Sequence, residues 1–162
     1  MKLENVRDHE NLLLDISKEF FIEWRKYWNY INLYNYKDLH QYYNKKFFKN
    51  TEDNFYILID NYNNIIGYGC IIYDEFPTIK SPKNSIFITD IYIKPNYRRM
   101  GNSKLLIELL IIEAKKYEKD ILIAVEKKTT FLHNFYKNFG FEFIEEIDYS
   151  DKYLIYKLNT SI

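Results

Sequence analysis

Residues 85–126 constrain the fold more than any other stretch of this chain. "SIFITDIYIK" alternates as a strand does and is stopped by Pro95. "GNSKLLIELLIIEAKKYEK" follows with helical spacing and an apolar stripe expected at Leu105, Leu106, Leu109, Ile112 and Ala114. "DILIAVE" is a short, nearly continuous apolar run, as in a strand buried on both faces. Strand, helix, strand in that order favours a parallel pair joined by a crossover, because a parallel neighbour is reached only by crossing back over the sheet.

The flanks add hairpins and further helices. "MKLENV" reads as a short strand. Residues 9–30 place Leu13, Ile16, Phe20, Trp24, Tyr27 and Trp28 at helical spacing, with Asp8 positioned to cap. Residues 36–48 are a second helical stretch. "NFYILID", "NYNN" and "IIGYGCIIYDE" read as strand, turn and strand, and "FPTIKSPKN", with two prolines, as a loop. "TTFLHNFYKNFG" is a short helix with a Thr cap and with Gly140 at its end. "FEFIEEI" and "KYLIYKL" are closing strands. The expectation is an α+β fold: a central mixed, mostly antiparallel twisted sheet of six to seven strands with helices on both faces. No repeat or linker interrupts the 162 residues, so residues 1–162 read as one domain.

Charge narrows the function classes. Twenty-three basic residues balance twenty-three acidic ones, so no overall field favours nucleic acid or an anionic membrane. The single cysteine, Cys70, makes no internal disulfide and reads as a core residue of its strand. A charged start, "MKLENVRDHE", and the lack of a long apolar run lead us to expect a cytoplasmic protein without a signal peptide or membrane span. Scattered histidines and one cysteine give no reason to expect a metal.

"YRRMGNSKLL" lies at the junction of the strand and the long helix, and spends one of only four glycines there. A helix N-terminus carries unpaired N–H groups and partial positive charge. Gly101 has no Cβ, Asn102 and Ser103 are small, and Arg98 and Arg99 add charge, which together suit a diphosphate. Taken alone, the same turn also suits a plain structural glycine beside solvated arginines. It matches neither the Walker pattern nor the three-glycine dinucleotide pattern.

"DIYIKPNYRRMGNSKLL" resembles the acetyl-CoA-binding motif of the GNAT superfamily of N-acyltransferases, Gln/Arg-x-x-Gly-x-Gly/Ala at a strand-to-helix junction. Arg98 and Gly101 match, and Ser103 stands where Gly or Ala is usual. "LHNFYKNFGF" resembles the family's later segment, whose usual first Asn falls on Thr129. Ile88 to Ile93 also resembles the spermidine/spermine acetyltransferase branch, with Thr89 where that branch has a carboxylate.

The resemblance implies an acetyl-CoA-dependent N-acetyltransferase. The cofactor's pantothenate arm is expected along Ile91, Tyr92 and Ile93, and its pyrophosphate on the amides of Arg99, Met100, Gly101, Asn102, Ser103 and Lys104 with Arg98 nearby, while Thr129 and Asn134 complete the cofactor site. Tyr136 matches the family's general acid to the leaving thiolate. Asp90 and Glu126 are the candidates to take the proton from an attacking amine, and His133 is a weaker one.

The acceptor is expected to be a small cationic amine, because Glu142, Glu145, Glu146, Asp148 and Asp151 form an acidic run around the last hairpin. A protein N-terminus or lysine is the alternative acceptor. A non-catalytic acyl-CoA sensor on the same fold is the alternative from another class. The basic and aromatic residues 24–49 suit single-stranded nucleic acid less well than an amphipathic helix pair with snorkelling lysines. A homodimer through the last strands is a further expectation.

Overall fold

The structure is a computed structural model and describes residues 1–24, 35–49, 52–73, 85–148 and 152–159. In chain order its elements are β1 (Lys2–Asn5), α1 (Leu13–Trp24), α2 (Tyr36–Tyr43), β2 (Asn54–Ile59), β3 (Ile65–Tyr73), β4 (Ser85–Ile93), α3 (Asn102–Lys115), β5 (Asp120–Glu126), α4 (Thr130–Lys137), β6 (Phe141–Asp148) and β7 (Lys152–Leu158). The seven strands form one sheet in the order β1-β2-β3-β4-β5-β7-β6. β4 and β5 are parallel, joined over α3, and every other neighbouring pair is antiparallel. This is the mixed, mostly antiparallel sheet that the residue pattern implies. The two-proline loop and Asp151 lie outside the described residues.

Strand alternation sends side chains to two cores. One face packs Ile88, Ile93, Ile123, Val125 and Tyr156 under α3 and α4. The other packs Tyr68, Cys70, Phe87, Leu122 and Ile155 under α1 and α2. Helix α3 turns differently from the expected stripe. It buries Leu106, Ile107, Leu110 and Ala114, while Ile112 is 56% exposed. Gly69 sets that closeness, since a Cβ there would stand 2.6 Å from Leu110 Cδ1.

The N-terminal helix starts later than its apolar spacing suggests. Val6–Leu12 is a 3-10 stretch broken at His9, where φ is −137°, and α1 begins at Leu13. Asp8 does not cap it. Asn5 caps the 3-10 stretch, accepting from Arg7 N at 2.9 Å. Asn35 caps α2 with a reciprocal pair: it accepts from Lys37 N and Asp38 N, and Asp38 accepts from Asn35 N. The helix then widens into a π-helical turn, Asn44–Lys49. Leu39, Tyr43 and Phe47 face inward, and Lys46 lies over the Tyr42 and Phe47 rings, the snorkelling arrangement. Residues 25–34 lie outside the described residues.

Arg7 fastens these pieces together. Its guanidinium donates to Phe47 O at 2.7 Å, Asn54 Oδ1 at 2.9 Å and Asp53 O at 2.8 Å. Charge-assisted bonds are the strong kind, so Arg7→Met is expected to cost about 2 kcal/mol in urea unfolding. A loss near zero would show that the three bonds exchange freely with water.

Candidate active site

The parallel pair opens where chemistry is expected. Its register covers Ser85, Ile86 and Phe87 against Asp120, Ile121 and Leu122 and stops there, while β4 continues to Ile93 and β5 to Glu126. The two strands splay beyond that point. Beyond it β4 has no ladder partner on β5, and Ile93 O is taken by Arg98 Nε.

A bulge in β4 sets what faces this opening. Cys70 pairs with Thr89 and Tyr68 with Tyr92, so Asp90 and Ile91 lie opposite Gly69 alone. Asp90 takes φ +52°, a left-handed conformation that Asp tolerates better than most residues. Plain alternation would send Asp90 to the α3 face. The extra residue resets the phase: Ile91 and Ile93 go to the α3 face, and Tyr92 joins the α1/α2 core. Asp90 comes close to Cys70, Tyr43, Tyr68 and Lys46. Burial pushes the Asp90 carboxyl up, while the Lys46 ammonium and a hydrogen bond from the Cys70 thiol pull it down; the net direction is upward. Spacing gave no hint of Cys70 and Lys46 as partners of Asp90, because the contact depends on strand register and on the π-helical turn.

The junction before α3 is built by its own side chains. Asn102 is 5% exposed and donates to Tyr97 O at 2.8 Å. Arg98 turns back, donating through Nε to Ile93 O at 2.8 Å, pairing with Glu23 at 3.5 Å and lying over the Tyr92 ring. Burial, then the nearby Glu23, pushes the Tyr92 phenol up to about 12, against the pull of Arg98. The Arg98 side chain therefore braces the loop. Arg99 has φ +62° and Gly101 φ +80°. A Cβ on Gly101 would meet nothing within 4 Å, so the glycine is there for its backbone conformation, over open space. No side chain caps α3, and Leu105 N is bonded to Gly101 O at 3.1 Å. The amides just before Leu105 are the unpaired first-turn donors of a 14-residue helix. Met100, Ser103 and Lys104 are exposed beside them.

Tyr136 lies on α4 against the α3-face core, 6% exposed, with the Phe135 and Phe141 rings at 5.2 and 6.1 Å. Burial pushes its phenol above the usual range. Glu126 ends β5 on the other face and pairs with Lys128 at 3.1 Å. Asp90 and Glu126 thus lie on the α1/α2 side of the sheet and Tyr136 on the α3/α4 side. Thr129 does not cap α4; its hydroxyl donates to Glu126 O at 2.7 Å. Asn134 is exposed. Both nitrogens of His133 are engaged: Nε2 donates to Lys127 O at 3.2 Å, and Nδ1 accepts from Tyr156 Oη at 2.9 Å. That histidine ties α4 to β7.

The acidic run is not one edge. A bulge at Ile144 splits it, so Glu145 pairs with Ile155 on the α1/α2 face, while Glu146 pairs with Leu154 on the other and bonds Lys127 at 2.8 Å. A separate groove of about 700 Å³ runs between α1, the β2–β3 turn and the end of β4. The carboxylates along it are ion-paired, Asp15 with Lys18, Glu19 with Lys94 and Glu23 with Arg98. Among the described residues, no cluster of three or more His, Cys, Asp or Glu is placed to hold a metal, and no helix is long and apolar enough to cross a membrane.

A family model described as the acetyltransferase (GNAT) family matches residues 13–141. No curated protein sequence matches significantly. Among solved structures, a mutant of the spermidine N-acetyltransferase SpeG from Vibrio cholerae superposes with a TM-score of 0.74 at 15% identity, over 98% of this chain and 94% of that one. A GNAT family acetyltransferase from Elizabethkingia anophelis with acetyl-CoA bound gives 0.53 at 18% identity, over 67% of this chain and 76% of that one. A putative acetyltransferase from Acinetobacter baylyi gives 0.70 at 15% identity, over 97% and 91%. At such identities these likenesses speak to the fold.

Proposed function

Since the chain belongs to the acetyltransferase (GNAT) family, we propose that it moves the acetyl group of acetyl-CoA to a primary amine by direct attack. The observation that carries this reading is the opening between β4 and β5 beside an uncapped α3 N-terminus. First-turn amides favour a diphosphate, and the edge of β4 around Ile91, beyond its last pair with β5, favours the amides of a pantetheine arm beside the Ile93 O that Arg98 holds. Acetyl-CoA supplies the thioester carbon when bound.

The chain's own groups then divide by face. Tyr136 donates its proton from the α3/α4 side to the departing sulfur. Asp90 takes the proton from the incoming ammonium on the α1/α2 side, and Glu126 stands at the far rim of the same opening. A carboxyl raised by burial is a stronger base than an ordinary one. A main-chain N–H near Ile91 is the donor for the developing oxyanion. A small cationic amine is the acceptor this arrangement favours, since both carboxylates lie on the amine's side.

Release of free thiol from acetyl-CoA on adding a panel of amines tests the reaction; acetyl-CoA binding with no thiol released by any amine or peptide would exclude it. Asp90 gives a second test. Because folding raises its pKa, its contribution to stability is fully present below the ordinary carboxyl value near ~4 and is lost as pH rises through the folded value. Asp90→Asn is therefore expected to raise the melting temperature at neutral pH while removing the acidic limb of the kcat/KM profile. An unchanged acidic limb would pass the role of base to Glu126.

A further inference from the structure

The loop that leads into α3 is gripped from α1 at two points. Glu19 and Glu23 are four residues apart on α1 and so share one face of it. Lys94 and Arg98 are also four residues apart, and they flank the 3-10 turn Pro95–Tyr97 between β4 and the loop. Each carboxylate meets one of these cations. Glu19 Oε1 stands 2.9 Å from Lys94 Nζ, and Glu23 Oε2 stands 3.5 Å from Arg98 Nη2. The Glu23 side chain is the more enclosed, at 16% exposed.

The loop needs support from outside. Arg99 and Gly101 both take left-handed backbone angles, and for an arginine that conformation is unfavourable. The bonds from Asn102 Nδ2 to Tyr97 O and from Arg98 N to Pro95 O stay inside the segment. The Arg98 side chain ties it to the sheet and to α1 together. Its Nε donates to Ile93 O at 2.8 Å, its guanidinium lies over the Tyr92 ring, and its Nη2 faces Glu23. A guanidinium is planar and rigid, so holding Nη2 also fixes where Nε points.

We propose that Glu23 is a positioning residue for the cofactor's diphosphate: from α1 it holds Arg98, and through Arg98 it keeps the first-turn amides of α3 in place for the ligand. This rests on the acetyl-CoA reading above. A loop ordered before binding takes less from the binding energy than a loose one. The sign of the effect is diagnostic. By charge alone, removing a carboxylate near a diphosphate tightens binding. Removing a brace weakens it.

The test is calorimetric titration of CoA and acetyl-CoA into the wild type, Glu23→Gln, Arg98→Met and the double variant. Glu23→Gln is expected to raise the dissociation constant about threefold to tenfold, between the effect of a surface ion pair and that of an enclosed charge-assisted bond. Arg98→Met is expected to raise it at least as far. Adding Glu23→Gln to Arg98→Met is expected to change it by less than about twofold, because the brace has already gone. Asp15 is one turn earlier on the same face, and its partner Lys18 is on α1 itself. Asp15→Asn is therefore expected to change the constant by less than about twofold. Melting without ligand reads any loss of folding separately. Binding by Glu23→Gln as tight as the wild type or tighter, an equal loss in Asp15→Asn, or a full further loss in the Arg98→Met background each overturns the proposal and leaves the cofactor reading standing. No binding by the wild type at millimolar ligand overturns both.

Discussion

Tyr136→Phe is expected to lower turnover about a hundredfold to ten-thousandfold, the range usual for a lost general acid. The phenol is raised by burial, so it stays protonated through the neutral range and can only donate. Its ring is packed against Phe135 and Phe141, which the variant preserves. Stability should therefore change by less than about 1 kcal/mol, and acetyl-CoA binding should persist. Steady-state thiol release, with a melting curve as control, separates the effects. Turnover within a few-fold of wild type would remove Tyr136 from the mechanism and leave it as packing.

Gly67→Ala is expected to cost about 3 kcal/mol, the upper end of what overpacking usually costs. Gly67 pairs with Ile93, and its Cβ would stand 2.3 Å from Tyr92 O and 2.7 Å from Ile93 Cδ1. The nearer atom is backbone, so the strand itself has to move. The strand that moves is the end of β4, where the cofactor's arm is proposed to pair. Loss of acetyl-CoA affinity should accompany the loss of stability. Urea unfolding reads the first and calorimetric titration the second. A variant as stable as the wild type would mean that β4 yields easily at this point, contrary to its register with β3.

The sequence made the order of elements legible because each carries a strong local period. The parallel crossover followed from strand, helix and strand, and the α3 junction from one glycine between two patterns. What stayed hidden depends on non-local register. Asp90 was picked out by position, but its neighbours Cys70 and Lys46 come from a β-bulge and a π-helical turn that no spacing announces. Glu145 looked like one of five rim carboxylates, and only the bulge at Ile144 separates it from Glu146. Ile107 and Ile112 are equally apolar, and only packing against the sheet decides which of them α3 buries. The contacts of the Arg98 side chain with Ile93 O, Glu23 and the Tyr92 ring depend on how the loop folds back, which charge and spacing do not announce.

The most direct test of the central claim is thermal melting with acetyl-CoA, CoA and desulfo-CoA, on the wild type and on Gly101→Ala. A ligand at a hundred times its dissociation constant adds about 2.7 kcal/mol to stability. The account predicts a clear rise for the wild type with all three. It predicts a smaller rise for Gly101→Ala, in which φ +80° is strained and a methyl group enters the open space over the first turn. No shift for the wild type at millimolar ligand would contradict the account, leaving this chain with the family's fold and without its cofactor site.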